Sequence, residues 1–170
     1  MRVKIFIIAV ISIISLLLTA CSSEKNEEGA KAASGNDKDK QEQVQDSVEE
    51  FGLTLQTTIE GSNKLLDTFN KNLDGLYTAE VSEQQFANVL KGVVDESNKL
   101  VAGMEKVYVD GTLYDFRQTT VAYLNRQHEL FLNAVDMANQ EMINKEYLRT
   151  EYLAVKEEQA GIVNTWLNGE

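Results

Sequence analysis

Proline is missing from all 170 residues, where average use of roughly 5% would place about eight. Long helices therefore lack their strongest breaker, and Pro-rich linkers are excluded. Cysteine occurs once, so no disulfide can close within the chain. Histidine occurs once, which excludes a His-rich metal site and leaves little for a His-centred relay. Positive charge is scarce: 16 Lys and Arg stand against 27 Asp and Glu, for a net charge of −11. Such a surface repels phosphate backbones and anionic headgroups, so nucleic acid is not an expected partner. The length suits one domain.

What is present begins at the N-terminus. Arg2 and Lys4 precede an apolar run over residues 5–18, broken only by Ser12 and Ser15. The run is shorter than the ~20 residues that span a bilayer, and small residues follow it, which is the pattern of a secretory signal peptide. Leu18-Thr19-Ala20-Cys21 resembles the lipobox of bacterial lipoprotein precursors. The resemblance covers these residues only. It implies a diacylglycerol thioether on Cys21, cleavage after Ala20, and Cys21 as the first residue of the mature chain, open to N-acylation (palmitate chemistry) as well. The rival readings are an uncleaved anchor and an ordinary signal peptide. Leu18 fits the second poorly, because that cleavage rule wants a small residue there. Two acyl chains anchor a protein stably where one does so marginally. Losing Arg2 and Lys4 would leave 14 − 27 = −13 charges.

The expected division is a signal peptide over 1–20, a lipidated cysteine and polar tether over 21–43, and a helical bundle domain over 44–168. Residues 22–41 carry no apolar side chain larger than Ala, too little to order a segment by burial. Twenty such residues reach roughly 25 Å on average and about 70 Å when stretched. A helical extension is the alternative for this stretch.

From Val44 onward apolar residues recur in steps of three and four, the mark of one buried helical face. The first stripe is Val44, Val48, Phe51, Leu55, Ile59, Ser62, Leu66, Phe69, Leu73 and Leu76, with Asp39 and Glu42 as a capping box before it. Ser82 and Gln85 form a second capping box, stapled by Val81 and Phe86, ahead of Val89/Leu90, Val93, Ser97, Leu100, Met104 and Val107. Asp110-Gly111 turns the chain. Thr112 with Asp115 is expected to cap a third helix through Leu113, Phe116, Thr120, Leu124, Gln127, Phe131, Val135, Ala138 and Met142. Asn144 is the expected N-cap of a fourth, through Leu148, Tyr152, Val155, Gln159, Ile162 and Trp166. Short connections make neighbours antiparallel, so the expected fold is all-α: an up-down-up-down four-helix bundle with coiled-coil-like packing. A three-helix bundle with one long last helix over 112–167 is the alternative, since neither Gly nor Pro marks the last boundary. A dimer-completed hairpin is a further one.

Each stripe is interrupted near its middle by a polar residue: Thr58 and Ser62, Ser97, Gln127, Gln159. Antiparallel helices put these midpoints at one height, which predicts a polar layer of Ser62, Ser97, Gln127 and Gln159 with His128 at its edge. Such a layer fixes register; a small-ligand pocket is the sharper reading. Gly52, Gly61, Gly92, Gly103 and Gly161 fall inside predicted helices, where each costs ~1 kcal/mol against Ala. The end with Phe51, Tyr108, Tyr114 and Trp166 would face the membrane. The far end, with Val81, Tyr77, Met142 and Tyr147, is a candidate docking end, because tyrosine is rich in binding hot spots.

Catalytic patterns are thin. His128-Glu129 begins a zinc-protease motif without its second histidine, and Asn125 stands where a di-metal pair would want a carboxylate. Asp95-Glu96 and Glu157-Glu158 are adjacent and do not share a helix face. The expectation is a non-enzyme without cofactor or metal: a lipoprotein on the extracytoplasmic face of the cell membrane, with a Gram-positive surface favoured. It would bind another envelope protein or a cell-wall component, with a homo-oligomer left open. The alternatives are a small-ligand or lipid carrier, and a phage or mobile-element exclusion or immunity lipoprotein.

Overall fold

Capping chemistry sets most of the helix boundaries. The computed structural model describes the backbone of residues 36–169 and the side chains of residues 47–169. It contains four helices: α1 over Asn36–Thr78, α2 over Glu83–Lys106, α3 over Tyr114–Asn139 and α4 over Lys145–Asn168. No strand occurs among the described residues. The fold is all-α, a four-helix bundle. Cys21, the signal sequence and the tether up to residue 35 lie outside the described residues.

Ser82 opens α2 with the expected capping box: its side chain accepts from the Gln85 amide at 3.2 Å, and Gln85 Oε1 accepts from the Ser82 amide at 2.9 Å. Both bonds satisfy amides that a helix start otherwise leaves bare. Asn144 opens α4, its Oδ1 accepting from the Tyr147 amide at 3.0 Å. The α3–α4 break is closed by a Schellman motif. The Met142 amide donates to the Met137 carbonyl at 2.9 Å and the Glu141 amide to the Ala138 carbonyl at 3.3 Å. Glu141 takes the left-handed conformation, φ 55°, that this motif usually gives to Gly. The single long last helix is thereby overturned.

Two other boundaries differ from expectation. α1 starts at Asn36, so residues 36–43 are helix rather than tether, and Asp39 and Glu42 lie inside the helix instead of capping it. Lys38, Lys40, Gln41, Glu42 and Gln43 are strong helix formers and no Gly interrupts them. α3 starts at Tyr114 with Leu113 at the N-cap and no side-chain cap. Thr112 turns back instead, its amide donating to Asp110 Oδ1 at 2.9 Å and its hydroxyl to the same oxygen.

α2 packs most extensively on α3, α1 on α2, α3 on α4, and α4 returns to α1. Pairs between α1 and α4 run in opposite chain directions: Phe51 with Trp166, Asn63 with Lys156, Asn70 with Arg149, Leu76 with Lys145. Ser97 with His128, and Val107 with Arg117, do the same for α2 and α3.

The core is layered. At one end Phe51, Phe116 and Trp166 form a triad with centroids 5.4–5.9 Å apart. Toward the other end Phe69 is ringed by Phe86, Phe131 and Tyr152 at 5.5–6.0 Å. Each fully buried Leu, Phe or Val contributes ~1.5–3 kcal/mol before entropy is subtracted. The stripe positions Val48, Val89 and Met142 are exposed instead. Leu90 takes the inward place beside Val89, Val48 lies beyond the end triad on α1, and Met142 belongs to the α3–α4 connection. No described helix is long and apolar enough to cross a membrane.

Candidate functional site

Between the two aromatic layers lies a polar one. Ser62 on α1, Gln127 on α3 and Gln159 on α4 are all buried and meet at one oxygen. Ser62 Oγ donates to Gln127 Oε1 at 2.8 Å and accepts from Gln159 Nε2 at 2.9 Å. It also bonds the hydroxyl of Tyr123 on α3. A serine hydroxyl has one proton and two lone pairs. With the proton committed to Gln127, Tyr123 must be the donor, and the Ser62 hydroxyl is saturated. Gln127 Nε2 adds a bond to the Ser62 carbonyl at 3.3 Å, and Lys156 Nζ donates to Gln159 Oε1 and Asn63 Oδ1, both at 2.9 Å.

Burial pushes the Tyr123 phenol up to about 12, with Ser62 and Gln159 pulling the other way and the Glu158 charge adding to the rise. The phenol therefore stays protonated at neutral pH, as its donor role requires.

Ser97 is buried as expected but joins a different bond set. Its Oγ lies 2.9 Å from the Val94 carbonyl and 2.6 Å from His128 Nδ1. The single hydroxyl proton that serves the carbonyl cannot also serve the ring, so Nδ1 carries hydrogen and donates to Ser97. Ser97 is only 2% exposed, whereas His128 is half-buried. The expected layer is thus two parts: a three-helix knot around Ser62 and a two-helix pair of Ser97 with His128. Thr58 is also buried, and Thr120 bonds back to the Phe116 carbonyl at 3.0 Å.

Tyr123 was the member that stripe counting missed. It stands three residues after Thr120 and four before Gln127, so the spacing held the signal. Tracing Leu124 alone through that turn hid it.

The far-end residues do separate jobs. Tyr77 donates to Glu146 Oε1 at 2.9 Å, and Lys145 and Arg149 lie 5.6 and 5.5 Å from its ring centroid. Lys145 also caps the Leu76 carbonyl, and Arg149 bonds Asn70 and Asp74. Tyr77 is part of an α1–α4 clamp. Met142 is 65% exposed in the α3–α4 connection. Tyr147 faces the α3–α4 seam, beside Arg126, Glu129 and Glu151. Tyr77 thus sits at the α1–α4 contact and Tyr147 at the α3–α4 seam. At the opposite end Arg117 bonds the Glu105 and Val107 carbonyls at 3.2 and 2.9 Å, capping the last turn of α2, a favourable place for a cation. Among the described residues no group of three or more His, Cys, Asp or Glu is placed to hold a metal ion.

Comparison with protein-family models, with curated proteins and with solved structures gave no match. The residues themselves must carry the functional reading.

Proposed function

We propose that this protein is a lipid-anchored extracytoplasmic lipoprotein whose helical body binds another envelope protein or a cell-wall component without catalysing a reaction. The observation that carries the reading is Leu18-Thr19-Ala20-Cys21 directly after a basic and apolar leader and directly before a polar tract. Cys21 would hold the acyl chains that keep the chain at the membrane. The acidic balance of the chain favours cationic or neutral partners over headgroups and nucleic acid.

The bundle supports binding over carrying. A carrier needs a contiguous, largely apolar cavity between the helices, with a few polar groups free to orient a ligand. Here the groups at mid-height satisfy one another around Ser62. In the serine–histidine contact Nδ1 donates to Ser97, so the ring is not placed as a base toward that hydroxyl. Binding through the outer faces is what remains.

In-cell photo-crosslinking tests the proposal, with the crosslinker placed in turn on each outer face of the full-length, membrane-localised protein. Adducts to one envelope component, lost when Cys21→Ala releases the chain from the membrane, are the expected result. Self-adducts alone would overturn the adaptor reading in favour of an oligomer.

A further inference from the structure

We propose that the seam between α3 and α4 is the binding face, and that it takes a cationic amphipathic helix of the partner. The inference rests on the binding role proposed above and names its surface and the partner's chemistry.

The outer seam holds two concavities joined at Ala122 and Arg126. One, of about 510 Å³, has an apolar floor of Phe116, Ala122, Tyr123 and Ile162. The other, of about 450 Å³, is polar, with Glu129 and Glu151 on either wall and Tyr147 at its end. Arg126 crosses between them, paired with Glu158 and lying 3.7 Å from Glu151.

Charge decides the occupant. The ionisable acids and bases lining the two concavities are Glu129, Glu151 and Glu158 against Arg126, a net of −2. Glu129 has no paired cation among the described residues. A partner helix with an apolar side chain over Ile162 and a Lys or Arg near Glu129 meets both compartments. Ala122 and Glu129 are two turns apart on α3, roughly 10 Å, so the partner's apolar and cationic residues should also stand about seven positions apart. This is the helix-in-groove mode, with a buried apolar anchor and a charged flank.

Gly161 gives the means to test it. It lines the apolar concavity, and a Cβ built there meets nothing within 4 Å. A Cβ there is therefore free of the bundle, and a larger side chain starts from the wall of the apolar concavity. Gly103 on α2 is equally open but lies outside the seam, which makes it the control.

The probe is a labelled synthetic helix with Leu and Lys two turns apart, added to the full-length lipoprotein in nanodiscs of zwitterionic lipid and read by fluorescence anisotropy. Gly161→Leu should weaken binding about tenfold or more, and Gly103→Leu should leave it unchanged. Glu129→Gln with Glu151→Gln should weaken it similarly and flatten its salt dependence. Circular dichroism confirms that each variant is folded. Three results each overturn the inference: no binding to the unaltered protein, equal binding by Gly161→Leu, or equal binding of a probe with Glu in place of Lys. If the probe fails while in-cell adducts arise from another face, the binding role stands and the seam is wrong. If both fail, the binding role falls too.

Discussion

Ser62 and Gln127, 65 residues apart on α1 and α3, are bonded twice: the serine hydroxyl donates to Oε1 at 2.8 Å, and Nε2 donates to the serine carbonyl at 3.3 Å. The pair spans the bundle diagonal and recruits Gln159 and Tyr123 to the same hydroxyl. Sliding one helix by a turn would strand several buried polar groups at once. Register is thus held by satisfaction of the knot more than by the apolar layers, which tolerate exchange.

Ser62→Ala should destabilise the fold by about 2–4 kcal/mol. It removes a small group yet leaves Gln127, Gln159 and Tyr123 short of a partner in a buried place. Denaturant unfolding measures the loss. Combining Ser62→Ala with Gln127→Leu should cost less than the sum of the two, because the second change removes a stranded group.

Alkali should expose Tyr123. Its folded value is raised to about 12 from an ordinary 10. The stabilisation tied to its protonated form is fully present below pH ~10 and is lost as pH climbs toward 12. Thermal unfolding followed across that window should show stability falling, with a shallower fall in Tyr123→Phe. Some slope should persist, because burial also raises Tyr152, to which the Asp67 charge adds.

Glycine-to-alanine changes should split by position. A Cβ at Gly52 would lie 2.9 Å from Trp166 Cζ2, so Gly52→Ala must displace the indole and should lower the melting temperature. Gly92 and Gly103 meet nothing within 4 Å, and alanine there should add up to ~1 kcal/mol. The protein has a single tryptophan, so fluorescence reports directly whether the indole has moved.

Glu141→Gly should stabilise by roughly 0.5–1 kcal/mol. The left-handed conformation at this position is strained for a residue with a Cβ and free for glycine. Calorimetry on the two proteins checks it, and a loss of stability would mean that the Glu141 side chain contributes more than its backbone costs.

Much of the fold was legible because its signals are local. Ser82 with Gln85, and Asn144, announce their helices within four residues, and the stripes through Phe69, Leu124 and Val155 follow helical spacing. The α3–α4 break carried no Gly because Glu141 fills the position Gly usually takes. Thr112 mimicked a cap, but Asp110 is nearer to it and took its hydrogen bonds. The polar interruptions at Ser62, Gln127 and Gln159 were readable as a layer. Which of them touch was not, since Ser62 and Tyr123 lie 61 residues apart and meet only in the folded bundle. The Arg126–Glu158 and Arg149–Asp74 pairs join distant sequence positions with no local mark, and the α3–α4 seam was illegible for the same reason.

Intact-mass spectrometry of the protein extracted from the membranes of cells that process lipoproteins tests the account most directly. Lipidation predicts a chain that starts at Cys21 and carries the added mass of a diacylglyceryl group on that sulfur. A chain that retains residues 1–20, or that begins near Cys21 with an unmodified thiol, would contradict it.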